Sequence, residues 1–301
     1  MRLTKPLDVD ATPAVASREA KPTALLSRAR FWTFVQYAVM ALLAITMVTP
    51  FLWMISTSLT PEAYVLSARP QLIPEEISLE SYAELGRRID LPRVLFNSIL
   101  VAGLGTLGQI FFAAMAAFVF SRMQWRGRNV VFMLYLATMM IPGSVLIIPQ
   151  FILVRSLGWI NTYAALIFPS LFSAFAVFLL RQSFLTLPKD YEEAAFVDGA
   201  NWFTIFWKIA LPLSGPALAT LGVFSFMGLW NSYLWPLFVA RRDEIMTLPV
   251  ALSFLQSETR ALTEWNIVMA GSVVAVLPIF AVYIVAQRWF VRGVVITGIK
   301  G

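Results

Sequence analysis

Four carboxylates crowd into one short stretch of this 301-residue chain, at Asp190, Glu192, Glu193 and Asp198, and no histidine or cysteine exists anywhere to work beside them. Without imidazole or thiol there is no Ser-His or Cys-His triad, no disulfide and no histidine metal site, so neither a catalytic residue nor a metal site is expected. The use left to these acids is electrostatic. Pro188 suits the first turn of a helix, and Asp190, Glu192 and Glu193 then complement its positive end. The polar groups inside apolar runs are amides and hydroxyls, such as Gln109, Gln150, Asn231 and Ser232. They can hydrogen-bond a neutral solute or a neighbouring helix, and for Gln109 and Gln150 interhelical bonding is the commoner use. They cannot titrate, whereas a proton-driven pump or carrier needs an ionisable group at membrane depth. No G-x-x-x-x-G-K-[ST] phosphate loop occurs, so any nucleotide is bound by another chain.

The elements that must position these groups follow from composition. Hydrophobic residues make up 59% of the chain and charged ones 13%, with a mean hydropathy of +0.74, which points to a membrane. Six stretches lack Asp, Glu, Lys and Arg: Phe31 to Pro61, Val94 to Ser121, Asn129 to Val154, Ser156 to Leu180, Ile209 to Ala240 and Trp265 to Gln287. Each reaches the roughly 20 residues that cross about 30 Å of hydrocarbon as helix. The expected fold is therefore all-α, a polytopic membrane protein with six transmembrane helices. Only Arg155 separates the third run from the fourth, and Gly158, Asn161 and their neighbours predict a tight hairpin there. Gly103, Gly105, Gly108, Ala113 and Ala117 in the second run let helices approach closely.

Fifteen Lys and Arg fall on the side that holds both termini and eight on the other. This predicts that the termini, and the loops near Arg126 and Glu193, are cytoplasmic. The net charge of +6 is scattered through these loops rather than gathered into a patch, so no nucleic-acid partner is expected. Residues 1–30, with three prolines and no apolar face, read as a disordered cytoplasmic arm ahead of a transmembrane domain over 31–301. The first apolar run begins too late and runs too long for a cleaved signal peptide, and it is retained as the first helix.

The acids belong to a loop running from Leu187 to Pro212 that reads as helix, turn, helix. Gly199 stands where a left-handed residue would close the first helix, Asn201 can cap the second, and Pro212 turns it into the membrane. On the first helix Tyr191, Ala194, Ala195 and Asp198 share a slim face, with Glu193, Phe196 and Val197 on a bulky one.

Taken in register, Glu193-Ala194-Ala195, Asp198-Gly199-Ala200, Phe206, Ile209, Leu211-Pro212 and Pro216 resemble the "EAA" loop of permease subunits in binding-protein-dependent ABC importers. Trp230 to Leu237, Asn97-Ser98, Ser78 to Tyr82, and the ending with Phe290 to Gly293 and Thr297 to Gly301 are similar to the carbohydrate-importer branch, on the side of the smaller permease of the maltose importer. Ser232 departs from the acidic residue that the family often has there. The resemblance covers roughly residues 31–301. It implies a coupling loop, about 187–212, that docks on an ATPase subunit. In it Glu193 makes a charge-assisted contact, Ala194 and Ala195 permit close approach, Asp198 completes the motif and Gly199 permits the turn. It further implies a second permease subunit, two ATP-binding subunits that hold ATP and Mg, an extracytoplasmic solute-binding protein, a bacterial-type cytoplasmic membrane, and a tail at Lys300-Gly301 that reaches the ATPase interface. No cofactor is bound by this chain, and it is not an enzyme. Asn231, Ser232, Tyr233 and Trp235 offer amide, hydroxyl and aromatic partners suited to a polyhydroxylated solute, although the aromatics equally suit an interfacial belt. The alternative function is an ATP-independent carrier or uniporter for a neutral solute.

Overall fold

The chain is seen in a computed structural model that describes residues 23–61, 73–74, 76–262 and 264–297, with side chains over 30–61, 73–74, 76–257 and 264–287. Residues 1–22 of the expected arm and the ending from Gly298 to Gly301 lie outside the described residues, as do the side chains of Phe290 to Gly293. Every regular element among the described residues is helical. Helix α1, Thr23–Ser58, opens inside the stretch read as an arm, where Ala, Leu and Arg follow Pro22 and favour helix. The chain divides into two units between Leu52 and Trp53. In the first, Phe34, Leu42, Ile45 and Met47 of α1 are exposed on successive faces. A helix apolar all the way round is built for lipid or for another helix.

The second unit continues through α2 Glu80–Arg88, α3 Leu91–Arg122, α4 Arg128–Ala137, α5 Gly143–Ser156, α6 Tyr163–Ile167, α7 Ala174–Thr186, α8 Asp190–Val197, α9 Trp202–Ile205, α10 Leu211–Leu213, α11 Gly215–Trp230, α12 Leu234–Val239, α13 Leu248–Leu262 and α14 Trp265–Thr297. Among the described residues three helices are long and apolar enough to cross a membrane, within α1, α3 and α14. Three bent pairs pass the same test jointly, giving up to six.

Proline and its neighbours explain the bends. The run from Asn129 folds by 99° between α4, extended by a 3-10 turn, and α5. There Ile141 is pushed to φ −84°, ψ 117° by the following Pro142. A 43° bend precedes α7, whose N-cap Ser173 accepts from Ala176 N at 3.2 Å. The fifth run, expected as one span from Ile209 to Ala240, is broken by 76° between the segment ending at Leu213 and α11, after a π-helical stretch at Phe206–Ala210. It stops again at Trp230. The segment after Arg241, expected as loop, instead contains α13.

Helix α3 is the centre of the bundle. Asp90 caps it by accepting from Arg93 N, Pro92 sits in its first turn, and its 32 residues extend about 48 Å at 1.5 Å each. Ala113, Ala114 and Ala117 bury against Ala176, Val177 and Leu180 of α7 and Leu221 of α11. Small residues matter here because lipid supplies no hydrophobic drive and helices gain only by close packing. At Gly105 an added Cβ would lie 2.6 Å from Leu229 Cδ1, so a larger residue there would have to displace the Leu229 side chain.

Candidate functional site

The loop at 187–212 forms the expected helix, turn and second helical segment, with closures that can be traced bond by bond. Helix α8 ends in a Schellman arrangement: Ala200 N donates to Ala195 O at 2.9 Å and Gly199 N to Phe196 O at 3.0 Å. Gly199 takes φ +81° to allow it. Asn201 Oδ1 then accepts from Thr204 N at 2.8 Å and opens α9. Lys189 is the N-cap of α8, so Pro188 stands just ahead of the helix rather than within its first turn.

The two adjacent glutamates part company. Glu192 is buried, and its Oε1 lies 2.9 Å from Nε of Arg122, the last residue of α3. Arg122 Nη2 donates to the carbonyls of Phe184 and Leu187, closing the end of α7 where helical carbonyls lack partners. One guanidinium thus joins α3, α7 and α8. Burial pushes the Glu192 carboxyl above its ordinary value, while Arg122 and Lys189 oppose that shift. Beside this ion pair, Phe118 packs on Phe184, Trp202 and Phe206, and Trp202 meets Phe196 edge-on at 4.8 Å.

Glu193, Ala194 and Asp198 are exposed, while Ala195 is half-buried against the core. The Glu193 carboxylate has no hydrogen-bond or ion-pair partner among the described residues. Val197 is 89% exposed and Phe203 71%, which leaves bare apolar side chains next to a free carboxylate. The loop is held rigidly on one side and presented on the other. Sequence reasoning missed Arg122 and Glu192, since nothing in a run of acids says which one turns inward.

The opposite end of α3 carries a second polar cluster. Asn97, fully buried, donates to Glu244 O at 3.0 Å and Met246 O at 2.9 Å and accepts from Tyr163 Oη at 2.6 Å. Ser98 Oγ accepts from Leu248 N at 2.7 Å. Asn161, at φ 61°, accepts from the backbone amides of Arg241 and Arg242. The hairpin turn, the start of α3 and the segment ahead of α13 are thereby tied together.

Of the residues read as a solute pathway, Asn231, Ser232 and Tyr233 lie between α11 and α12, and Trp235 lies in α12. Asn231 bonds its own helix end, donating to Met227 O at 2.9 Å, and is exposed. Ser232 is half-buried and Tyr233 exposed. Trp235 Nε1 donates to Ala165 O at 2.8 Å. Trp230 is buried, stacks on Phe226 and donates to Ala275 O, so it is core. Of the group, only Ser232 and Tyr233 lack a side-chain hydrogen bond among the described residues. No cluster of three metal-binding side chains occurs among the described residues.

Bent apolar helices packed on α3, with one charged helix presented outward, suit an integral membrane component. Residues 109–296 match the family described as binding-protein-dependent transport system inner membrane component, and the chain belongs to that family. It is 34% identical to the arabinooligosaccharides transport system permease protein AraQ of Halalkalibacterium halodurans over 264 residues, 87% of this chain and 94% of that protein. It is 39% identical to the sn-glycerol-3-phosphate transport system permease protein UgpE of Yersinia enterocolitica over 202 residues, 67% of this chain and 72% of that one. Among solved structures it resembles a chain of a bacterial ABC transporter involved in the import of the acidic polysaccharide alginate. The TM-score is 0.77 at 27% identity, over 87% of this chain and 97% of the other. These relatives are transport proteins and not enzymes.

Proposed function

We propose that this chain is one of two different permease subunits of a carbohydrate ABC importer, a six-span bundle with both termini and the 187–212 loop in the cytoplasm. Two separate subunits bind and hydrolyse ATP with Mg, and an extracytoplasmic binding protein delivers the solute. The observation that carries this reading is the presented face of α8, where unpaired Glu193 and exposed Val197 stand on a helix fixed from behind by Arg122 and Glu192. A bare carboxylate next to apolar surface suits a partner that offers Arg or Lys in an apolar cleft.

In this mechanism ATP-driven closure of the partner dimer moves α8, and Arg122 passes the movement to α3 as a rigid body. The bundle then switches between inward-facing and outward-facing states. Asn231, Ser232, Tyr233 and Trp235 border the outer part of the route. Residues 1–30 form a cytoplasmic arm, and the tail reaches toward the ATPase. A sugar is favoured as cargo because AraQ is named for arabinooligosaccharides and the alginate transporter for a polysaccharide.

Affinity purification of the tagged chain tests this. It should bring down a second permease and an ATPase subunit, and the reconstituted complex should move solute only with ATP. A chain that purifies alone and transports without ATP would be a secondary carrier. Titration of the cognate binding protein with arabinotriose and with sn-glycerol 3-phosphate tests the cargo, and capture of the phosphate ester alone would remove the sugar assignment.

A further inference from the structure

Gln109 lies near the middle of α3, deep in an apolar run, and its side-chain amide makes no hydrogen bond to any described residue. Helix-to-helix bonding, the ordinary use of such an amide, is therefore absent among the described residues. Together with Ser173, Phe175, Phe224 and Ser225 it lines a cavity of about 340 Å³ between α3, α7 and α11. Ser225 is buried and its hydroxyl makes no hydrogen bond among the described residues. Thr220, Ser253 and Ser272 bond back to their own turns, at Pro216 O, Val250 O and Val268 O, whereas the hydroxyls of Ser81 and Thr106, like that of Ser225, do not. Ser173 Oγ accepts from Ala176 N and donates to none of the described residues.

Polar groups without partners are costly in hydrocarbon, and they persist at membrane depth where they meet a water-filled route or another polar surface. Here an amide and two hydroxyls gather around one cavity. Phe175 and Phe224, both substantially exposed, supply flat apolar rings beside them. Gly228 also borders the space and adds no side chain. A sugar ring presents hydroxyls at its edge and C–H groups on its faces, so it needs this combination of partners. No Lys, Arg, Asp or Glu lines the cavity, which disfavours a phosphorylated or acidic solute, since those call for charge-assisted partners.

We propose that the cavity lined by Gln109, Ser173, Ser225, Phe175 and Phe224 is a transit site at which this subunit itself holds a neutral polyhydroxylated solute. The proposal rests on the permease reading above and gives that reading a second station, deeper than the residues at 231–235.

The test uses the complete importer in liposomes with its binding protein, supplied with arabinotriose. Gln109→Leu and Ser225→Ala should each lower the arabinotriose moved per ATP hydrolysed by about three- to tenfold, as expected for the loss of one hydrogen bond. Gln109→Asn should retain more activity than Gln109→Leu. Capture by the binding protein and subunit assembly should be unchanged. Because the chain has no cysteine, Ser225→Cys should react with a charged thiol reagent from the aqueous phase, and more slowly during arabinotriose turnover. Absence of labelling in every nucleotide state would overturn the site. So would Gln109→Leu complexes that assemble poorly but move normal arabinotriose per ATP, because Gln109 would then be a contact to the second permease. A wild-type complex whose ATP hydrolysis ignores loaded binding protein would overturn the permease reading itself. Wild-type transport of sn-glycerol 3-phosphate but not arabinotriose would overturn the neutral-solute assignment alone.

Discussion

Arg122 and Glu192 are seventy positions apart in sequence and 2.9 Å apart in space. Removing one member of a buried pair leaves an uncompensated charge, at a cost of about 3 to 5 kcal/mol. Arg122→Gln should accordingly destabilise the purified complex at neutral pH. Arg122→Gln with Glu192→Gln should cost less than the sum of the singles. The sign with pH is fixed by the raised Glu192 pKa. The penalty for an ionised, buried carboxylate is fully present above the raised native pKa and vanishes as pH falls below the unfolded value. Thermal unfolding should therefore show the Arg122→Gln deficit shrinking from pH 7.5 to pH 5. An equal deficit at both would mean that the lost charge is not what matters. Glu193 should behave in the opposite way. Glu193→Ala should leave stability intact and reduce transport by roughly ten- to a hundredfold, the worth of one charge-assisted contact, with solute capture by the binding protein unchanged. The sequence motif pointed to Glu193, but its neighbour could not be told from it. Which acid is buried depends on how α8 lies against α3 and α7, and that is decided by residues far upstream.

At the scale of elements, the turn between α8 and α9 hangs on Gly199. An added Cβ meets no atom within 4 Å there, so the penalty at φ +81° is conformational, about 1 to 2 kcal/mol for an ordinary residue. Gly199→Val should reduce transport strongly and expose the loop to protease, and Gly199→Asn should be milder because asparagine tolerates the left-handed region. Equal proteolysis of the two variants would argue against this account. Gly199, Asn201 and the hairpin at Gly158 and Asn161 were all readable, because a turn is written in a few local residues. The bends in the third and fifth runs were not. Every residue around Pro142 is apolar or small, so a hydropathy count passes over the kink. Helix α13 was hidden by its setting between charged residues, although Leu248, Ala251 and Leu255 already keep helical spacing.

For the whole molecule, the charge asymmetry makes a sharp demand: Val197→Cys, 89% exposed at the start, should react with an impermeant thiol reagent in inside-out vesicles and not in intact cells. Labelling from outside would invert the topology. The 99° bend between α4 and α5 bears on the order in which the molecule is made. Insertion machinery sorts a nascent chain by the length of its apolar runs, and Asn129 to Val154 offers one unbroken run. The folded chain holds that run as two helices set almost at right angles, with Phe132 of the first packed on Phe120 of α3. On the proposed six-span topology, a run that enters the bilayer as a single segment would have to be reshaped after entry, once its neighbours have arrived. Biogenesis of this region would then include a late step, and a chain stalled before it would be fully inserted yet unfinished.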